Sequence, residues 1–349
     1  MDAEFAIAGR AIGPQAPPFV IAELSGNHNG SLERGLRLID AAAAAGADAV
    51  KLQTYTPDTI TLDSDDPAFR LEGGLWDGRT LYDLYAEAQT PYEWHAPLFA
   101  HARAQGLIVF SSPFDETAVA LLRSLDAPAY KIASFEAVDT ALIACAAATG
   151  KPLIISTGMT SPGEIAQAVA TAHAHGRGGV ALLHCVSDYP ARFPDANLRM
   201  VPRLAADFGC VTGLSDHTPG TAAAVAAVAL GACIIEKHLT LDRGEGGPDA
   251  AFSLEPHELA NLTRDCRHAW EALGQAIYSR SVSEIENRHL RRSLYVVRDV
   301  AAGAVIGPED VRSIRPGDGL APIRLPEVLG RAASRDLRRG EPLAWDMVV

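Results

Sequence analysis

The chain has 349 residues, 48% hydrophobic and 21% charged, which is enough apolar material for one large globular domain or two. A formal net charge of −13 argues against nucleic acid or an anionic membrane as a general partner, while leaving room for a local lysine pocket that takes a small anion. The 5 cysteines lack CxxC spacing, the opening MDAEFAIAGRAIG lacks a secretory pattern, and no apolar run reaches the ~18 residues of a membrane span, so a reducing cytoplasm is the expected location.

The first strand signal is FVIAEL (19–24), followed by SLERGLRLIDAAAAAG, where Leu32, Leu36, Ile39 and Ala43 share one face at helical spacing. DAVKLQT (48–54) is the second strand. The connection 56–90 is long and rich in Trp, Tyr, Leu and Asp; it reads either as a substrate lid or as surface decoration. A helical YEWHAPLFAHARAQG then precedes GLIVFSS (106–112). AYKIAS (129–134), KPLIIST (151–157), GVALLHC (179–185), CVTGLSD (210–216) and ACIIEKHL (232–239) complete eight strands. Helical stretches separate them at 115–124, 139–149, 162–175, 197–207 and 219–230. The runs are continuously apolar, as strands buried on both faces should be. Eight βα units in roughly 250 residues predict a (β/α)8 TIM barrel. A doubly wound sheet is the alternative, and no GxGxxG follows the first strand to support its dinucleotide-binding form. The expected organisation is a catalytic barrel over 1–275, a polar linker over 276–289 and a small separate domain over 290–349.

Chemistry-bearing residues collect at the C-terminal ends of these strands. In order they are Glu23; Lys51 and Gln53; Ser111 and Ser112; Lys131, Ser134 and Glu136; Ser156 and Thr157; Cys185, Ser187, Asp188 and Tyr189; Ser215, Asp216 and His217; and Glu236, Lys237 and His238. A barrel brings those ends to one mouth. Any single Lys or Ser there could be an ordinary boundary residue. Lysines inside AVKLQ and YKIAS are different, because burying each costs several kcal/mol unless an anion meets it. Paired lysines with hydroxyls suit a phosphate or carboxylate, so a small polyanion is expected in the mouth. His217 and His238 end adjacent strands. They are either two unrelated buried histidines or a divalent-metal pair, for which Glu23 on the neighbouring closing strand is the natural third ligand. His28 reads as a loop-structuring or substrate-contacting residue.

The segments IAELSGNHNGS, AGADAVKLQT, FSSPFD, YKIASFE, KPLIISTGM, LLHCVSDYPA, GLSDHTPG and IIEKHLTLDRGEGGPDAAFSLEP together resemble the sialic acid (nonulosonic acid) synthase family. The resemblance covers nearly the whole chain, and the C-terminal RSLYVVRDVAAGAVIGPEDVRSIRPGDGLAP resembles the antifreeze-like (SAF) domain of that family. ELSGNHNG, LWDGRTLYDLYAEAQTP, YKIASFE and CVSDYPA look like its pseudaminic acid branch. The resemblance therefore implies a C–C bond-forming transferase. It would join phosphoenolpyruvate to 2,4-diacetamido-2,4,6-trideoxy-L-altrose, giving phosphate and pseudaminic acid for bacterial surface glycans. N-acetylneuraminate or legionaminate synthesis is the alternative within the family. A carbohydrate-binding barrel without catalysis is the alternative outside it.

The same resemblance implies the roles. His217 and His238 would hold Mn²⁺ or Mg²⁺, Glu23 would orient or deprotonate water, and Glu136 would handle a proton. Lys131, Ser134 and Ser156 would grip the phosphate of phosphoenolpyruvate. Lys51, Ser112, Ser187 and Ser215 would surround its carboxylate and enol oxygen, with Ser187 standing where the neuraminate branch carries Asn. Gln53, Tyr189 and Asp249 would contact the sugar; separately, the connection 56–90, with Trp76 and Tyr82, is expected to supply the apolar surface that its extra acetamido and methyl groups call for. Arg315 would reach the sugar across a domain-swapped homodimer.

Overall fold

The computed structural model describes residues 5–349; residues 1–4, at the start of the segment read as lacking a leader, lie outside the described residues. Two compact units divide the chain, Met1–Gly274 and Gln275–Val349. The first opens with an antiparallel hairpin, β1 (Phe5–Ile7) and β2 (Arg10–Ile12), which the hydrophobic pattern did not announce.

Eight parallel strands follow: β3 (Phe19–Glu23), β4 (Ala49–Thr54), β5 (Ile108–Pro113), β6 (Tyr130–Ile132), β7 (Leu153–Ser156), β8 (Val180–Cys185), β9 (Val211–Asp216) and β10 (Ile234–His238). They pair in chain order, and β10 pairs with β3 to close the barrel, with His238 opposite Glu23. Helices α1 (Leu32–Ala44), α4 (Tyr92–Ala104), α5 (Glu116–Ser124), α6 (Thr140–Ala147), α7 (Pro162–His175), α8 (Met200–Phe208), α9 (Ala222–Ala229) and α10 (Pro256–Leu273) cover the outside, and the short α2 (Pro57–Ile60) and α3 (Leu81–Ala88) stand apart from that layer. The long connection after β4 therefore carries α2 and α3, the latter N-capped by Thr80.

The continuous apolar runs are explained by two separate cores. Outward-facing Val20, Ala22, Val50 and Leu52 pack against Leu38 and Ile39 of α1 and Leu98 and Phe99 of α4. Inward-facing Phe19, Ile21, Ala49, Phe110, Ala129, Ile154, Ala181, Leu183 and Ile234 fill the lumen, and Phe5, Ile7 and Ile12 of the hairpin join them. Side chains alternate along each strand. The next inward position after this apolar filling is Glu23, Lys51, Ser112, Lys131, Ser156, Cys185, Ser215 or Glu236. The lumen thus changes from apolar to polar at one level.

The second unit pairs β11 (Ser293–Val296) with β12 (Val311–Ile314) around a small core of Leu294, Val296, Ile306, Val328 and Leu343. It also holds two short helices, α11 (Val282–Glu286), within the stretch read as a linker, and α12 (Leu325–Val328). Among the described residues no helix is long and apolar enough to cross a membrane.

Gly213 shows how tightly the barrel closes. A Cβ there would stand 2.2 Å from the Ile234 carbonyl oxygen and 2.7 Å from Leu183 Cδ2. Gly213→Ala should cost about 1–3 kcal/mol by overpacking, read as a lower urea midpoint of unfolding. An unchanged midpoint would contradict the packing described.

Candidate active site

The polar level of the lumen is a buried charge network. Lys51 Nζ sits 2.8 Å from Glu23 Oε2 and 3.3 Å from Glu236 Oε1, and it donates to Ser112 Oγ at 3.2 Å. Lys131 Nζ lies 3.8 Å from the same Glu236 oxygen and donates to Ser156 Oγ at 2.7 Å. Ser215 Oγ donates to Glu236 Oε1 at 3.1 Å. Gln53 Nε2 and the Ser25 amide both donate to Glu23 Oε1 at 3.1 Å. The anion that makes two buried lysines tolerable is therefore first of all the protein's own. Sequence reasoning assigned that place to a ligand alone and gave Glu236 no role. Its position two residues before His238, on the same strand face, was the available signal.

Burial opposes every charge here, and neighbours decide the outcome. It works against the Lys51 ammonium, but Glu23 and Glu236 outweigh it and raise the pKa. Lys131 is 1% exposed, and burial lowers its pKa with Glu236 only partly offsetting the effect. For Glu236, burial is outweighed by Lys131 and Lys51, which hold the carboxyl below its ordinary value. For Glu23, burial prevails over Lys51 and the pKa rises.

Beside this network lies a small cradle. The Gly158 amide donates to Ser134 Oγ at 3.1 Å, and a Cβ on Gly158 would stand 2.4 Å from Ser187 Oγ. Ser134, Ser187 and the bare Gly158 backbone thus face one another after β6, β7 and β8. Gly158, absent from the sequence-based candidates, lets the backbone after β7 approach Ser134 and Ser187 more closely than a side chain would permit.

His217 and His238 face each other with ring centroids 5.3 Å apart. His217 Nδ1 is 2.9 Å from the Val186 carbonyl, and His238 Nδ1 is 3.3 Å from Ser25 Oγ and 3.9 Å from Asp249 Oδ2. Those contacts leave the Nε2 of each ring as the available donor, the arrangement by which outer partners orient metal-binding imidazoles. Burial, followed by the nearby His217, pushes His238 well below the ordinary histidine pKa, which favours the neutral ring. Burial also acts on His217, but Cys185, with Sγ 3.9 Å from Nδ1, outweighs it and raises the pKa. Among the described residues no group of three or more His, Cys, Asp or Glu side chains converges as a ligand set. Glu23 is not the third donor expected from the sequence, because both of its oxygens are turned to Lys51, Gln53 and the Ser25 amide. The donor set fits a divalent ion held by two imidazoles and completed by water or substrate oxygens.

Above the polar level opens a cavity of about 290 Å³. Gln53, Glu136, Tyr189, His238 and Asp249 supply its polar edge. Ile60, Leu71, Leu81 and Leu84 line it from the long connection, as does Trp76, whose Nε1 donates to the Pro248 carbonyl at 2.8 Å. That connection is thus a wall of the site and not surface decoration. Tyr82 is not part of it; its hydroxyl lies 3.3 Å from Asp58 Oδ1, away from the cavity. Glu136 Oε2 is buried without a hydrogen-bond partner, and burial pushes the carboxyl up to about 7.

Apart from Tyr82 and Arg315, the barrel brings the expected site residues to this mouth. Arg315 is carried by the C-terminal unit, exposed just after β12, and the barrel does not supply it. His28 serves the loop: its Nδ1 accepts from the Gly30 amide at 3.1 Å, its Nε2 is 3.3 Å from Thr90 Oγ1, and its ring meets Trp94 edge-on.

The chain is similar to known proteins over most of its length. Residues 38–278 match the NeuB family model, and residues 291–349 match the SAF domain model. The chain is 44% identical to a pseudaminic acid synthase of Campylobacter jejuni, over 93% of this chain and 95% of that protein. It is 42% identical to a pseudaminic acid synthase of Helicobacter pylori, over 95% of this chain and 97% of that protein. The N-acetylneuraminic acid synthetase of Leptospira borgpetersenii, solved with citrate, superposes with a TM-score of 0.73 at 33% identity, covering 82% of this chain and 95% of that one. The chain therefore belongs to the NeuB family and ends in a SAF domain.

Proposed function

We propose that this chain is a pseudaminic acid synthase that condenses phosphoenolpyruvate with 2,4-diacetamido-2,4,6-trideoxy-L-altrose. The observation that carries the reading is full-length similarity to enzymes of that name, joined to a barrel mouth holding two lysines, serine hydroxyls and an imidazole pair.

Lys131, Ser156 and Ser134 hold the phosphate of phosphoenolpyruvate, and the bare Gly158 lets Ser134 and Ser187 close up beside it. Lys51, Ser112, Ser187 and Ser215 surround the carboxylate. These donors are fixed before the substrate arrives, so they stabilise developing charge without reorganising. C3 of phosphoenolpyruvate bonds to the aldehyde carbon of the open-chain sugar. Water adds at C2, and the C2–O bond breaks to release phosphate. Held by His217 and His238, a divalent ion, Mn²⁺ or Mg²⁺, would supply Lewis-acid polarisation of the aldehyde oxygen. Glu23 orients the water. Glu136, unpartnered at the cavity edge and titrating near neutrality, exchanges the proton that the aldehyde oxygen gains.

Gln53, Tyr189 and Asp249 face the sugar, and the wall of Ile60, Leu71, Leu81 and Leu84 suits a methyl at C6 better than a hydroxymethyl. Arg315 completes the sugar site from the second subunit of a domain-swapped dimer, a reading that rests on the family resemblance.

Purified enzyme offered phosphoenolpyruvate, a divalent ion and each sugar should release phosphate with the 6-deoxy diacetamido sugar. Turnover with N-acetylmannosamine alone would overturn the assignment. Trp76→Ala should raise KM for the sugar about tenfold and leave KM for phosphoenolpyruvate unchanged, because the indole walls only the outer cavity.

Glu136 also leaves a mark on stability. Its folded pKa of about 7 exceeds the ordinary 4.5, so the folded state keeps a proton that the unfolded state gives up. Its contribution therefore falls as pH rises from 4.5 to 7 and stays reduced above that. Glu136→Gln should gain up to about 3 kcal/mol relative to the parent at pH 8 and little at pH 4.5, read by urea unfolding. A pH-independent difference would contradict the burial described.

A further inference from the structure

A second pair of charges lies behind the imidazoles, outside the lumen. Lys237 is 0% exposed and Asp216 is 4% exposed. Lys237 Nζ stands 2.7 Å from Asp216 Oδ2. Alternation along β9 and β10 turns both side chains toward the helix layer, while His217 and His238, each the next residue, turn inward. Neither charge lines the cavity at the mouth.

All of the pair's bonds converge on one turn. Asp216 Oδ1 accepts from the Thr218 amide at 2.9 Å and from Thr218 Oγ1 at 2.8 Å. Lys237 Nζ also donates to the Thr218 carbonyl. Residues 216 to 218 are thus gripped on both sides of His217. Lys237 and Asp216 are also the last partners in the β9–β10 ladder, so His217 lies one residue beyond backbone pairing. The ion pair takes over where the ladder stops.

An apolar pair would fill this volume at no greater cost, since burying two ions forfeits several kcal/mol of hydration each. Such a pair would not hold the turn. We propose that the Lys237–Asp216 ion pair is a clamp that fixes the separation of His217 and His238, making Lys237 a positioning residue for the divalent ion. The proposal rests on the divalent-ion reading given above. His217 hangs on the clamped turn, and His238 follows the clamping lysine directly. His217 keeps two anchors of its own, with Nδ1 2.9 Å from the Val186 carbonyl and its carbonyl accepting from the Ala191 amide at 3.0 Å, so removing the clamp loosens the first ring relative to the second without releasing it.

The test is Mn²⁺ binding to the full-length protein without substrate, read from the electron paramagnetic resonance signal of free Mn²⁺, alongside thermal unfolding and phosphoenolpyruvate binding. Lys237→Met should weaken Mn²⁺ binding about tenfold while leaving metal-free phosphoenolpyruvate affinity unchanged. Thr218→Val, which removes one arm and no charge, should weaken Mn²⁺ binding by a smaller factor and still fold if Lys237→Met does not. Loss of thermal stability with Mn²⁺ affinity unchanged in both variants would overturn the clamp and leave the metal reading intact. Failure of the parent protein to bind Mn²⁺ would overturn the metal reading and the clamp with it.

Discussion

The structure depends on closure of β10 against β3. That parallel pairing sets His238 opposite Glu23 and lets eight strands share one interior. Once the ring is closed, strict alternation does the rest. Every second residue points inward, and the inward positions change together from Phe19, Ile21, Ala49 and Ile154 below to Glu23, Lys51, Lys131 and Glu236 above. A one-residue slip of any strand would turn its polar end group out into the helix layer.

The charge network shows what the protein invests in its site. Two ammonium groups and two carboxylates are buried together, and each is tolerable only because the others are there. The directions of their pKa shifts differ: burial raises Glu23 and lowers Lys131, while the two lysines hold Glu236 below its ordinary value. Lys131, less fully paired than Lys51, is the ammonium better placed to meet a ligand anion.

Much of this was legible in the sequence, and the parts that were not share a cause. Strands such as KPLIIST and GVALLHC could be read because burial on both faces demands uninterrupted apolar runs. The hairpin at 5–12 could not, because two strands of three residues carry almost no periodic signal. Lys51 and Lys131 were visible as improbable residues in apolar company. Their actual partners were harder to read: Glu236 was signalled only by its alternation with His238, and the turn of Glu23 toward Lys51 only by the strand register. Glu23 was misread as a metal ligand for the same reason: register placed it beside His238, but its side chain answers to Lys51. Gly158 escaped notice because its contribution is a missing side chain, which only the close approach of Ser134 and Ser187 reveals.

The central claim is that an imidazole pair and an ammonium-lined anion pocket occupy one mouth. A crystal of the full-length protein soaked with Mn²⁺ and phosphoenolpyruvate, with anomalous scattering collected near the manganese edge, tests it most directly. The account predicts one strong anomalous peak within bonding distance of both His217 and His238, with phosphate density against Lys131 and Ser156 on the same side of the barrel. A peak elsewhere, or phosphoenolpyruvate bound away from Lys51 and Lys131, would contradict it.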